Sequence, residues 1–232
     1  MREIVLDTET TGLDPSSGDR IVEIGAIELF NHMPTGQAFH KYLNPERKMP
    51  QEAFAVHGLS DEFLKDKPKF KNIVKELKDF IGKSKMIIHN ASFDMKFINA
   101  ELINAGSDPY PLGQAVDTLA LARKKFPGAQ NSLDALCRRF NVDNSSREKH
   151  SALLDSELLS GVYLELIGGR QPIFSLDQPN SVLKKNKVFH TTKSKYNRNR
   201  SLKPNITLEE ENAHDVFVES LGKESMWKKL YN

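Results

Sequence analysis

Asp7 and Glu9 break into an apolar run in IVLDTETTGL, residues 4–13. Side chains two apart on a strand project to one face. Two carboxylates therefore stand side by side at the end of a segment whose Ile, Val and Leu belong in a core. A buried charge without a partner costs several kcal/mol or gives up its charge. Two together are worse, unless something positive sits between them. Two more acids occupy positions that folding does not ask for. Asp94 lies near the start of a segment rich in Phe93, Phe97, Ile98 and Leu102, and Asp155 lies on the apolar stripe that Leu158, Leu159 and Val162 continue at helical spacing. His150 precedes Asp155 in the polar lead-in NSSREKHSALLD. Carboxylate oxygens suit hard divalent cations such as Mg²⁺ or Mn²⁺. A histidine of ordinary pKa, about 6.5, takes a proton close to neutral pH. The chemistry open to such a set is metal-assisted hydrolysis.

Bringing these side chains together is the task of the elements between them. Ile4–Leu6 opens a strand, TGLDPSSGD is turn chemistry, and RIVEIGAIELF alternates as a second strand. NHMPTG turns the chain and QAFHKYLNP reads as a third strand, completing an antiparallel meander. SDEFLKDKPKFKNIVKELKDFIG is expected to be helical, with Phe70, Ile73, Val74, Leu77, Phe80 and Ile81 on one face and lysines opposite. KMIIHN reads as a buried strand and SFDMKFINAELINAG as a helix ending at Gly106; Asn90 either orients the second acid or, the favoured reading, caps this helix. QAVDTLALARKKF is a short strand running into a helix, with Asp117 as a structural strand-end group. NSLDALCRRF is a helix capped at Asn131–Ser132, and SALLDSELLSGVYLELIGG is a long apolar helix stopped at Gly168–Gly169. A meander followed by alternating strands and helices implies an α/β fold, a mixed five-stranded sheet with helices against it. In such a fold the end of the first strand and the helices bearing Asp94 and Asp155 can meet at one place.

The character of the 232-residue chain changes after Gly169. Residues 1–170 carry 22 Lys and Arg against 24 Asp and Glu, whereas residues 171–232 carry 11 against 7. A first part so balanced does not bind nucleic acid by bulk charge; it would need local basic groups or metal ions. Residues 180–203 hold eight Lys or Arg and no acid. Such a stretch cannot offset its ordering entropy and is expected to be a flexible linker; a soluble tether and a contact to DNA phosphate both fit it. Apolar residues return in ITLEEENAHDVFVESLGKESMWKKLYN, where Thr207 and Glu210 have capping-box spacing and Trp227 is the only tryptophan. This portion is too short for its own core, and its aromatic groups mark a docking element. The single cysteine, Cys137, excludes an internal disulfide and a thiolate zinc cluster and is expected as a small buried hydrophobe. No apolar run approaches the roughly 20 residues of a membrane helix. Arg2, Glu3 and Asp7 interrupt any secretory signal, so a reducing cytoplasm is the expected compartment.

DTETTGL, HNASFD and HSALLD resemble the three exonuclease motifs of the DEDDh family. Over residues 1–170 the chain is similar, more closely, to the epsilon (proofreading) subunits of bacterial DNA polymerase III. The resemblance implies a ribonuclease H-like fold for residues 1–170 and 3′→5′ exonuclease activity. It implies two divalent cations, Mg²⁺ or Mn²⁺, held by Asp7, Glu9, Asp94 and Asp155, with His150 as general base. Asp7 is expected to bridge the two ions because it sits deepest on its strand. Glu52 and His57, in PQEAFAVHGLSD, resemble contacts to the terminal nucleotide of a single-stranded or frayed DNA 3′ end. The backbone at Thr10–Thr11–Gly12 would lie there too, although a plain strand-ending turn fits those three equally. Residues 171–205 then form a basic linker opening with Gln171, Ile173, Phe174 and Leu176, a run similar to peptides that bind the sliding clamp. Residues 206–232, including Phe217 and Trp227, correspond to the portion that binds the polymerase (alpha) subunit. Two other functions compete. An RNA-processing exoribonuclease, of the oligoribonuclease or tRNA-trimming type, would use the same acids but has no need of a tethered docking helix. A non-catalytic adaptor between clamp and polymerase would have no reason to keep mutually repelling acids.

Overall fold

In the computed structural model, which describes residues 1–145, 149–168 and 206–221, the first strand takes the middle of a mixed sheet. The five strands are β1 (Arg2–Thr10), β2 (Ile21–Phe30), β3 (Met33–Tyr42), β4 (Lys85–Ile88) and β5 (Ala115–Asp117), in the order β3-β2-β1-β4-β5. β1 pairs antiparallel with β2 and parallel with β4, and β5 is parallel to β4. The meander is tighter than its composition implied. Asn31 and His32, with φ of 49° and 67°, close a two-residue hairpin turn. Met33 and Pro34 therefore already pair with Phe30 and Leu29, and the third strand starts four residues before Gln37.

The helices are α1 (Gln51–His57), α2 (Asp61–Leu64), α3 (Phe70–Ile81), α4 (Ala91–Asn104), α5 (Thr118–Lys125), α6 (Leu133–Phe140) and α7 (Ala152–Leu166). The single helix expected across SDEFLKDKPKFKNIVKELKDFIG is two, α2 and α3. Pro68 lacks an amide hydrogen and disfavours helix at Lys67 before it, so α3 begins only at Phe70. The short α1 falls where no element was expected. Ser132 caps α6, as its spacing predicted. Asn90 does not cap α4: its side chain makes no capping bond, and its left-handed backbone (φ 68°) turns the chain from β4 into the helix. Its amide donates instead to Asp117 Oδ1 at 3.1 Å. Asp117 caps α5, accepting from the Leu119 amide at 2.9 Å, which is the structural role read from its place at a strand end.

Alternation on β1 sorts the core into two layers. Ile4 and Leu6 are buried with Leu77 and Ile81 of α3 and Phe97 and Ile98 of α4. Val5 faces the other way, with Ile87 of β4 and Leu159 and Tyr163 of α7. Ala122, Leu136 and Cys137 join α7 through Leu158 and Val162. Each fully buried large apolar side chain contributes about 1.5–3 kcal/mol, the reserve against which charges at the strand end must be set. Arg20, just before β2, grips the buried Glu101 of α4 through two bonds, Nε to Oε1 at 2.6 Å and Nη2 to Oε2 at 2.7 Å. This fork fixes α4 against the meander.

The chain separates into two units, Met1–Leu176 and Asp177–Asn232. In the second, α8 (Leu208–Ser220) starts at the capping box expected from Thr207 and Glu210. It buries none of its residues; Phe217 is exposed. Gln171, Ile173, Phe174, Leu176 and Trp227, and the whole of the linker 171–205, lie outside the described residues. Among the described residues, no helix is long and apolar enough to cross a membrane.

Candidate active site

β1, β4 and β5 run in one direction, so their carboxyl ends share one edge of the sheet, the place where open α/β sheets leave a crevice. Asp7 and Glu9 lie at the end of β1, on the Val5 face, toward α7. Asp155 lies in the first turn of α7 and is 3 % exposed. Thr8 lies on the opposite face, toward α4, and its hydroxyl donates to Oδ1 of Asp94 at 2.7 Å. Asp94 reaches the same edge because α4 follows directly from β4, whose direction matches that of β1. The acids thus arrive from both layers around a single strand end. A cavity of about 270 Å³ is lined by Asp7, Glu9, Asp94, His150 and Asp155, with Thr8 among its walls. Ligating atoms of Glu9, His150 and Asp155 lie within 4.8 Å of one another. His150 Nδ1 stands 3.3 Å from Asp155 Oδ2.

Close contact places α7. A Cβ at Gly25, the β2 partner of Asp7, would fall 2.2 Å from the backbone of Ala152 and Leu153. Only glycine lets the helix start so near the strand. Ser156 Oγ donates to the Gly25 carbonyl at 2.9 Å, and Ser151 Oγ to Glu23 Oε1 at 2.9 Å. Glu23, 1 % exposed, also meets His40 Nε2 at 2.8 Å. His150, between these anchors and the end of α1, hydrogen-bonds through its amide to the Val56 carbonyl at 3.3 Å.

Electrostatics make the cluster costly. Burial pushes Glu9 up to about 8; Asp155, Glu23 and Asp94 add to the rise, and His150 opposes it. Burial also raises Asp94, against the Thr8 hydroxyl and amide that favour its charged form. Asp7 is half-buried, whereas Glu9, Asp94 and Asp155 are buried. Depth therefore gives no reason to single out Asp7 as a bridge: at that residue β1 already looks into the open cavity.

The remaining candidates lie around this centre. His57 is buried at the end of α1, where its Nδ1 accepts from the Leu59 amide at 3.0 Å, which leaves the ring proton on Nε2. Burial lowers its pKa, against the pull of Glu23. Glu52 is exposed in the first turn of α1, outside the cavity walls. Thr10 donates to the Gly12 carbonyl at 2.6 Å, the Thr11 amide is bound to the Arg20 carbonyl, and Gly12 packs on the carboxylate of Asp19. Thr8 and Glu23 went unassigned on sequence. The signal for Glu23 was an acid in RIVEIGAIELF, where only apolar neighbours surround it; for Thr8 it was the alternation itself.

The family model described as Exonuclease matches residues 4–163. DNA polymerase III subunit epsilon of Rickettsia felis is 57 % identical over 179 residues, which span 76 % of this chain and 78 % of that protein. The namesake of Rickettsia typhi is 50 % identical over 226 residues, 95 % and 97 % of the two chains. The chain belongs to the DNA polymerase III subunit epsilon family. A further member of the epsilon family, from Escherichia coli, is 48 % identical over 176 residues, 73 % of this chain and 72 % of that one. As an epsilon-family protein this is a 3′→5′ exonuclease, of a type that uses divalent metal ions. Two solved structures share the fold. Exonuclease X in complex with 5′ overhanging duplex DNA has a TM-score of 0.58 at 23 % identity, covering 71 % of this chain and 90 % of that one. The nuclease domain of 3′hExo, a DEDDh family member bound to rAMP, has a TM-score of 0.62 at 18 % identity, covering 72 % and 91 %. The mixed five-stranded sheet flanked by helices has the expected ribonuclease H-like fold.

Proposed function

We propose that the chain hydrolyses the 3′-terminal phosphodiester of a single-stranded or frayed DNA end and releases a nucleoside 5′-monophosphate. Two divalent cations, Mg²⁺ or Mn²⁺, are assigned to Asp7, Glu9, Asp94 and Asp155. One observation carries this reading: Glu9, His150 and Asp155 converge to within 4.8 Å in a cavity that Asp7 and Asp94 also line. The residues fit such ions. Their donors are hard oxygens, and burial, with the neighbouring acids adding to it, raises Glu9 to about 8, a cost that a bound cation would offset. When bound, divalent cations stabilise the attacking and leaving oxygens of the displacement and acidify water.

The chain's own groups position and move the proton. His150 takes the proton of the attacking water as general base. Its contact with Asp155 Oδ2 orients the ring, and a neutral imidazole that donates from Nδ1 accepts at Nε2. Thr8 keeps Asp94 turned to the cavity by its 2.7 Å bond. Glu52, His57 and the turn at Thr10 and Gly12 flank the terminal nucleotide. A mismatched end reaches this site more cheaply than a paired one, because it is already partly unpaired.

The relatives are named as subunits of DNA polymerase III, and the same assembly is assigned here. Residues 206–232, with Phe217 and Trp227, dock on the polymerase alpha subunit; Val216 and Phe217 stand exposed on α8 in support. Gln171, Phe174 and Leu176 form a sliding-clamp peptide, and the whole acts in the cytoplasm. Digestion of paired and mismatched 3′ ends, on DNA and on RNA, with and without Mg²⁺, tests the reading. The expected result is Mg²⁺-dependent release of nucleoside 5′-monophosphates, fastest from mismatched DNA. Undiminished digestion in EDTA, or digestion confined to RNA, would overturn it.

A further inference from the structure

A second cavity, of about 720 Å³, adjoins the first. The two share His89 and Ser132 as walls. The catalytic cavity lies over the carboxyl ends of β1 and β4. The second lies one strand further, beside α5 and the turn that leads to α6, and is bordered by Arg123, Gly128 and Asn131. Neighbouring strands are about 4.8 Å apart, so the step from one cavity to the other is short. Their charges are opposite. The first is walled by Asp7, Glu9, Asp94, Asp134 and Asp155; among the described residues the second is lined by no acid and by one cation, Arg123. Among the described residues, no carboxylate lies within ion-pair distance of Arg123, whereas the exposed Lys75 and Lys96, elsewhere on the molecule, pair with Asp79 and Asp14.

The shared wall is built to stay in place. His89 Nδ1 bonds the Thr118 hydroxyl at 3.0 Å, and that hydroxyl reaches the Ile88 carbonyl at 3.2 Å. Asn131, buried, spends its side-chain amide on the carbonyls of Ala129 at 2.9 Å and Phe126 at 3.3 Å. The second cavity is therefore preformed, and its volume lies within the roughly 300–1,000 Å³ of ligand sites; the first, at about 270 Å³, falls just below that range.

We infer that this second cavity receives the nucleotide on the 5′ side of the bond being cut, with Arg123 facing its backbone phosphate. The inference rests on the exonuclease reading above. A strand whose 3′-terminal nucleotide lies toward Thr10, Gly12 and α1 must leave the catalytic cavity on the opposite flank. A polyanion leaving a ring of acids follows the wall that carries the Arg123 guanidinium, whose planar donors match phosphate oxygens.

Arg123→Gln tests this with two probes. The first is a fluorescent oligothymidylate, bound in EDTA and followed by anisotropy across a salt series. The second is the 4-nitrophenyl ester of thymidine 5′-monophosphate, cleaved with Mg²⁺, which carries the terminal nucleoside but nothing 5′ of it. Oligonucleotide binding should weaken roughly 3–10-fold, and the slope of log affinity against log salt should fall by about 0.7, the loss of one phosphate contact on a single strand. Arg123→Lys should recover most of that slope. Ester hydrolysis should keep its KM and kcat. An unchanged oligonucleotide affinity and salt slope, or an equal loss on both probes, would overturn the inference while leaving the exonuclease reading intact. A wild-type chain that cleaves neither the ester nor DNA would overturn that reading and this inference with it.

Discussion

Glu9 shows what a single residue contributes to function at the expense of stability. It is buried beside Asp155 and faces Glu23 across the sheet, a like-charged pair directly opposite. The folded chain holds the Glu9 proton until about pH 8, whereas the unfolded chain releases it near the ordinary 4.5. A raised acid leaves the fold at full strength below the unfolded pKa, and the loss grows as pH rises through the folded one. Metal-free protein should therefore lose stability between about pH 4.5 and 8. Glu9→Gln removes that component. In EDTA its Tm should exceed that of the wild type by a margin that grows to several degrees, on the order of 2–4 °C per kcal/mol in a domain of this size. Added Mg²⁺ should close the gap by stabilising only the wild type. Scanning fluorimetry at several pH values measures this; a gap that stays constant from pH 5 to pH 8 would count against a raised Glu9.

At the scale of elements, the decisive contact is the start of α7 on β2. Ser151, Ser156 and the absent side chain of Gly25 set how near the helix stands, and Asp155 and His150 depend on that placement. Gly25→Ala would force backbone apart, since its Cβ would meet Ala152 and Leu153 at 2.2 Å. Overpacking of this kind costs about 1–3 kcal/mol. A shift of about 1 Å in Asp155 would lower the rate on the order of 10²-fold. Thermal melting and digestion of single-stranded DNA check both effects; a variant with full activity and an unchanged Tm would mean the helix does not rely on that approach. Legibility differed among the elements. The helices bearing Asp94 and Asp155 were plain in their apolar spacing. The split of α2 from α3 at Pro68, the existence of α1 and the two-residue hairpin were not, because each depends on where backbone hydrogen bonds find partners rather than on periodicity.

At the scale of the molecule, the nuclease core closes within the first unit: all five strands and helices α1 to α7 precede Gly169. Removing residues 204–232 should spare nuclease activity on single-stranded DNA and end co-purification with the polymerase alpha subunit. Pull-down beside a digestion assay reads both at once; retained association would move the docking site to residues 1–203.

The amino-acid order alone determined that four acids and a histidine sit in otherwise apolar or motif-bearing segments, and that a meander precedes alternating strands and helices. Those are local facts, set by residue type and by periods of two and 3.6. Tertiary structure decided which face each acid meets: Asp7 and Glu9 look toward α7, while Thr8 looks the other way and holds Asp94. It also decided that Glu23, read on sequence only as part of a strand, anchors α7 through Ser151. Such pairings join residues 86 and 128 positions apart, and no local rule reaches across that distance, because only packing of the two helix layers on one strand end brings them into contact.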